Sequence, residues 1–268
     1  MPKISNISDA ERLVVRCMGG FSVRICGEPV RRWHAGKARS LFQHLLVNRG
    51  RVVLRDTLYE LLWPEQGCSR RSSSLKVAVH ALRRTLAESQ APVRIDHQDF
   101  GYVLRADRIW VDAEELQAAF SSGRAAELAG NHVVAAACYE RVAALHSGDF
   151  LAGDSADWID EQREWYRSVA LRALAYLRTT AVDRSDYPAA IGWSRQSLSI
   201  DRYQEEAYQA LMAVHGRLGE LDRVRGWYQL CARRLRDELG IAPSPETVRT
   251  LESAIGGALR GPLPSSAA

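Results

Sequence analysis

A chain of 268 residues is long enough for two ordinary domains of roughly 100–150 residues, each with its own core. Its 46% hydrophobic and 25% charged content excludes a disordered polymer, and no window approaches the ~18–20 consecutive apolar residues that a membrane helix needs. The net charge of +4 is unevenly spread: residues 1–112 hold 19 Lys+Arg against 11 Asp+Glu, whereas residues 113–268 hold 17 against 21. A basic first half suits a polyanion and an acidic second half suits protein. The start, Met1-Pro2-Lys3-Ile4, lacks the apolar run of a signal peptide, so a cytoplasmic location is expected.

In chain order, residues 1–11 read as a flexible lead. β-formers over Leu13–Met18 and Phe21–Ile25 flank Gly19-Gly20, a hairpin turn signal, and Gly27-Glu28-Pro29 reads as a second turn. Ala38, Leu41, Phe42, Leu45 and Leu46 then recur at helical spacing and stop before Asn48-Arg49-Gly50. A short β segment at Val52-Val53-Leu54 precedes a second helix over Asp56–Trp63, ended by Pro64. A polar turn leads into a longer helix at about 70–88, and Val93–Asp96 with Gly101–Leu104 forms a second hairpin. Strands, three helices and a hairpin are the order of a winged helix behind an extra N-terminal sheet.

After Asp112 the strand signal disappears. Asp112-x-x-Glu115 reads as a capping box that opens a series of helices near 112–128, 131–146, 156–183, 187–200, 203–218, 220–239 and 244–258. Their short connections predict antiparallel pairs. Trp193 and Trp227 lie 34 residues apart, as do Ala190 and Val224, which is the period of tetratricopeptide helix pairs. The expected organisation is therefore an α+β winged helix-turn-helix domain over 12–111 and an all-α tetratricopeptide-like helical repeat domain over 112–260. A Pro/Ser/Ala-rich tail at 261–268 reads as disordered.

The helix at 70–88 carries the most chemistry. Leu75, Val79, Leu82 and Leu86 make its buried stripe. The opposite face holds Ser73, Ser74, Lys76, Val77, His80 and Arg84, with no acid before Glu88. Such short polar and basic groups can donate to guanine and thymine acceptors, and Val77 can meet a thymine methyl, so these six are the expected base contacts. Lys37, Arg39, Arg70, Arg71 and Arg83 are the expected phosphate contacts, joined by Arg94, His97 and Gln98 of the hairpin acting as a wing.

Other chemistries find little support. Gly36-Lys37 lacks both the glycine five positions earlier and the Ser/Thr that a phosphate-binding loop requires. The seven histidines show no H-x-x-x-H spacing and the five cysteines no C-x-x-C pair, so no metal, cofactor or catalytic site is expected, and the thiols read as buried and reduced. Trp158, Trp165, Tyr166 and Tyr176 read as repeat core or groove lining, while Asp157, Asp160, Glu161 and Glu164 offer an acidic surface.

The run from Lys37 to Pro64 resembles the first two helices of an OmpR/PhoB-type winged helix. Ser74-Leu-Lys-Val-Ala-Val-His-Ala-Leu-Arg-Arg-Thr-Leu resembles its recognition helix, and Phe100-Gly-Tyr-Val-Leu resembles its wing. Gly148-Asp-Phe-Leu-Ala-Gly, the run from Glu206 to Gly219, and Arg234-Leu-Arg-Asp-Glu-Leu-Gly-Ile-Ala-Pro are similar to the bacterial transcriptional activator domain. In this order the two resemble a Streptomyces antibiotic regulatory protein of the short form. The resemblance implies an activator of secondary-metabolite genes that is not an enzyme. It further implies tandem protomers on direct repeats of double-stranded DNA, and recruitment of RNA polymerase holoenzyme through its sigma factor. The competing reading is a helical-repeat adaptor or ligand-sensing protein whose winged helix binds protein.

Overall fold

The structure, a computed structural model, describes residues 13–64, 71–106 and 108–257, with Arg71 and Ser72 described by backbone alone. The expectations for the N-terminal lead, the polar turn after Pro64, Cys68, Arg70, the Arg71 side chain and the tail lie outside the described residues. The chain divides into two compact units: residues 1–115 with 150–161, and residues 116–149 with 162–268.

The first unit begins with β1 (Leu13–Arg16) and β2 (Ser22–Ile25), paired antiparallel with Val15 opposite Val23. The segment read as a turn contains β3 (Glu28–Pro29), which extends this sheet at its edge, where proline's missing N–H is tolerated. Next come α1 (Gly36–Val47), β4 (Val53–Leu54), α2 (Arg55–Leu62) and α3 (Arg71–Glu88). β5 (Val93–Gln98) and β6 (Gly101–Ala106) form the wing hairpin, with β4 on the other side of β6. A strand that the sequence reading missed, β7 (Ile109–Val111), then runs parallel to β1 and completes a sheet of order β3-β2-β1-β7.

At the end of β7 stands Asp112, only 4% exposed. Its Oδ1 accepts the N–H groups of Cys17 at 2.7 Å and Ala113 at 2.8 Å, and its Oδ2 accepts that of Met18 at 3.0 Å. Burial pushes the carboxyl pKa above its ordinary value, and these three hydrogen bonds work against that shift. The sequence reading gave Asp112 a local capping role; the structure adds two long-range donors from the far end of β1.

Residues 150–161 add a second long-range closure. Leu151 donates its N–H to Cys17 O at 2.7 Å, and Ala152 donates to Gly19 O at 2.8 Å. Met18 and Gly20 thereby bridge to Phe150 and Ala152 instead of forming only a hairpin turn. Asp154 accepts from Arg39 Nη2 at 2.9 Å and Gln43 Nε2 at 2.8 Å. The Trp158 ring meets His44 edge-on at 5.1 Å.

Among the described residues the regular structure of the second unit is helical, and its boundaries fall within α4 (Asp112–Leu128) and α6 (Asp157–Asp183). α5 (His132–Leu145) starts where Asn131 accepts the Val134 N–H, and α7 (Tyr187–Ile200) where Asp186 accepts the Ala189 N–H. α8 (Glu205–Arg217), α9 (Leu221–Leu239) and α10 (Pro245–Ile255) pack on one another. The 34-residue partners Ala190 and Val224 are both fully buried, as stacked repeats require. Gly216 lets α8 approach α10 closely, because a Cβ there would lie 2.8 Å from Ala254 Cβ. The buried-thiol expectation fits Cys17 and Cys231 but not Cys26, which is exposed in the turn before β3.

Asp112→Ala leaves three backbone donors without their acceptor and is expected to cost about 3 kcal/mol, measured by urea denaturation. His44 is half-buried, its Nδ1 has no hydrogen-bond partner among the described residues, and desolvation lowers its pKa from the ordinary 6.5. As pH falls below 6.5 the unfolded chain takes up a proton at this position before the folded chain does, so stability declines. Denaturation of His44→Gln is expected to show a smaller loss between about pH 7 and about pH 5 than the parent.

Candidate nucleic-acid interface

α3 is held by its apolar stripe: Leu75, Val79, Leu82 and Leu86 are each at most 4% exposed. They pack the helix on α1, α2 and β5. With that side fixed, the other must face outward. Ser73, Lys76, Val77, His80, Arg83 and Arg84 are exposed, and Ser74 is half-buried. Val77 is 61% exposed in mid-helix, a poor position for a branched apolar side chain unless something covers it.

Lys37 lies beside this face. The first turn of α1 contributes Gly36 and Lys37 to a shallow cleft of about 330 Å³ that Ser73, Ser74 and Val77 also line. That turn contains no acid and Ala35 supplies no side-chain cap, so its positive helix end is uncompensated by side chains of the turn itself.

The wing is fixed to α3 and to β4. Arg83 donates from Nε at 3.1 Å and Nη2 at 2.6 Å to Ile95 O of β5. Arg55 donates its backbone N–H at 3.0 Å and its Nε at 3.2 Å to Phe100 O in the wing turn. Gly101 is required by close approach, since a Cβ would sit 2.3 Å from Val53 O. Arg94, His97 and Gln98 are exposed along β5, the His97 ring resting edge-on to Tyr102 at 5.4 Å. Phe100 projects at the wing tip, 72% exposed.

The expected residues therefore fall into distinct settings. Ser73, Ser74, Lys76, Val77 and His80 share one face of α3, with Lys37 nearby. Arg84 begins on the same face but donates from Nε to Glu88 at 2.7 Å, and His34 Nε2 meets the other Glu88 oxygen at 2.7 Å. Those contacts lower the Glu88 pKa. Arg39, read as a phosphate contact, instead holds Asp154 and lies over the Phe21 ring at 5.3 Å. Sequence reasoning missed the anchoring role of Arg55 and the lock on Arg84, although Arg84 and Glu88 stand at the i, i+4 spacing that signals such a pair.

The exposed basic helix, its wing and the separate helical-repeat unit define a transcription regulator of winged-helix type. Residues 33–104 match the family "Transcriptional regulatory protein, C terminal", and residues 111–255, more than half of the chain, match the "Bacterial transcriptional activator domain". Regulatory protein AfsR of Streptomyces griseus is 23% identical over 249 residues, covering 91% of this chain and 24% of AfsR. The chain thus spans about a quarter of that relative's length. The structure of Mycobacterium tuberculosis EmbR, in complex with a low-affinity phosphopeptide, shares the fold. Its TM-score is 0.71 at 21% identity, over 91% of this chain and 65% of EmbR. The chain belongs to the bacterial transcriptional activator domain family, in the two-domain combination of the Streptomyces antibiotic regulatory proteins.

Glu88 is the acid at the end of an otherwise acid-free face, and its removal is a direct electrostatic test. Glu88→Gln releases Arg84 and deletes a negative charge, so duplex affinity at low salt is expected to rise about 3- to 10-fold, read by fluorescence anisotropy. An unchanged or weaker affinity would place α3 away from the duplex.

Proposed function

We propose that this regulator is a sequence-specific activator of secondary-metabolite (antibiotic) genes that inserts α3 into the major groove. Ser73, Ser74, Lys76, Val77, His80 and Arg84 read base edges, Arg84 exchanging its contact with Glu88 for the duplex. Lys37, Arg83, Arg94, His97 and Gln98 hold phosphates. Tandem protomers occupy direct repeats, and the helical unit helps to recruit RNA polymerase holoenzyme through its sigma factor. The chain acts in the cytoplasm, on the nucleoid, and performs no catalysis.

The observation that carries the DNA-binding part is the exposed face of α3, basic and polar around a solvent-facing Val77 and backed by a buried stripe. Groove floors offer acceptors and methyl groups, and phosphates repel acids; this face meets both constraints. Family membership supports the activator and polymerase parts of the reading.

The test is binding of the full chain to its own upstream DNA and to a scrambled duplex across a salt series, with and without polymerase. Preference for the upstream duplex, stepwise double occupancy and a polymerase supershift are expected. Val77→Asp should abolish binding without loss of fold, since the side chain is largely solvent-exposed. His80→Ala should cost about 1–3 kcal/mol on the preferred duplex only, whereas Lys37→Ala should weaken every duplex and reduce the salt slope by about 1. Equal, weak binding to both duplexes, unchanged by Val77→Asp, would overturn the reading and favour a protein-binding adaptor.

A further inference from the structure

The helical unit contains a groove of about 500 Å³ between α7, α8 and α9, lined by Ile191, Arg195, His215, Arg223, Gly226 and Trp227. This volume is that of small-molecule sites, which run to roughly 300–1,000 Å³. The lining combines two largely apolar walls, Ile191 and Trp227, with three basic side chains, Arg195, His215 and Arg223, and no carboxylate.

His215 places a fixed polar group on the groove wall. Its side chain is 3% exposed, and its Nδ1 lies 2.5 Å from Glu220 Oε2. A carboxylate can only accept, so Nδ1 carries a proton and the ring is fixed in orientation. Nε2 has no hydrogen-bond partner among the described residues and is available at the groove wall. A ring nitrogen at a groove wall, held in a fixed orientation, can take a hydrogen bond from a ligand atom.

The charges agree on the ligand's sign. Arg195 is exposed and has no ion pair or hydrogen bond among the described residues. Arg223 donates to Glu220 Oε2 at 3.2 Å, so Glu220 is already shared by two partners. Two guanidiniums against one carboxylate leave the groove mouth positive. Gly226 completes the shape: inside α9, where glycine is a poorer helix former than alanine, a Cβ would meet nothing within 4 Å. Glycine there keeps space in the groove lining open beside Trp227.

We propose that this groove binds a small organic anion, a flat apolar body bearing a carboxylate or phosphate. The body lies against Trp227 and Ile191 over Gly226, and the anionic group pairs with Arg195 and Arg223. His215 Nε2 hydrogen-bonds a polar atom of the body.

Calorimetry and histidine-nitrogen NMR on the full chain test this, with 4-hydroxyphenyl phosphate and 4-hydroxybenzoate as probes, benzyl alcohol as the neutral comparison and a short Asp/Glu peptide as the macromolecular one. At least one anionic probe is expected to bind with Kd below ~1 mM and to shift the His215 Nε2 resonance, while benzyl alcohol does neither. Arg195→Gln should weaken binding about 10-fold, and Gly226→Leu, which fills the groove while improving helix propensity, should eliminate it with the circular dichroism spectrum unchanged. No response to either anion, an equal response to benzyl alcohol, binding that survives Gly226→Leu, or a response to the peptide alone would each overturn the proposal.

Discussion

The first unit depends on the Asp112 carboxylate. A sheet whose central strand is four residues long cannot hold its own ends, and the N–H groups of Cys17 and Met18 lie just beyond β1. Asp112 accepts both, and the Ala113 N–H as well, from a site almost sealed from water. Desolvation alone would favour a neutral acid; three donors aimed at the two oxygens oppose it. The same residue opens α4, so one side chain ties the end of β1, the parallel strand β7 and a helix start into a single junction.

Asp154 acts similarly for residues 150–161. It meets Arg39 and Gln43 on α1, while the backbone of Leu151 and Ala152 continues the line of acceptors at Cys17 and Gly19. Two acids and a few backbone bonds therefore fix the segments around α1 and leave the outward face of α3 uninvolved. Among the described residues the buried side of α3 is apolar apart from Thr85, whose hydroxyl donates to its own helix at Ala81 O. Stability and recognition are assigned to opposite sides of one helix.

Most of this was legible because helices announce themselves through period. The α3 stripe, the 34-residue pairing of Ala190 with Val224, and nearly every helix of the second unit can be read from spacing alone. β7 could not be read so: three residues pairing in parallel with a strand about a hundred positions earlier show no alternation long enough to detect. The bridges of Phe150 and Ala152 to Met18 and Gly20 are longer-range still. At the candidate interface, residue type identified the face correctly as basic and polar but could not show which arginines were engaged. Arg39 and Arg49 look like Arg94 in sequence; the structure sets them on Asp154 and Glu114 and leaves Arg94 exposed on the wing.

That distinction changes how the basic half of the chain should be counted. An arginine on a carboxylate has its charge cancelled locally, so Arg39, Arg49, Arg84 and Arg105 contribute less to the field than their number suggests. Arg83 and Arg55 differ, because their partners are the carbonyls of Ile95 and Phe100. A carbonyl fixes a guanidinium without neutralising it. Both therefore retain a full positive charge while losing the rotamer freedom that a phosphate contact would otherwise cost. Arg84 lies between these cases: its pair with Glu88 is exposed on both sides, weak in water, and easily exchanged for a stronger partner. The bonds that hold the wing in place thus also hold two unneutralised cations in fixed positions around it.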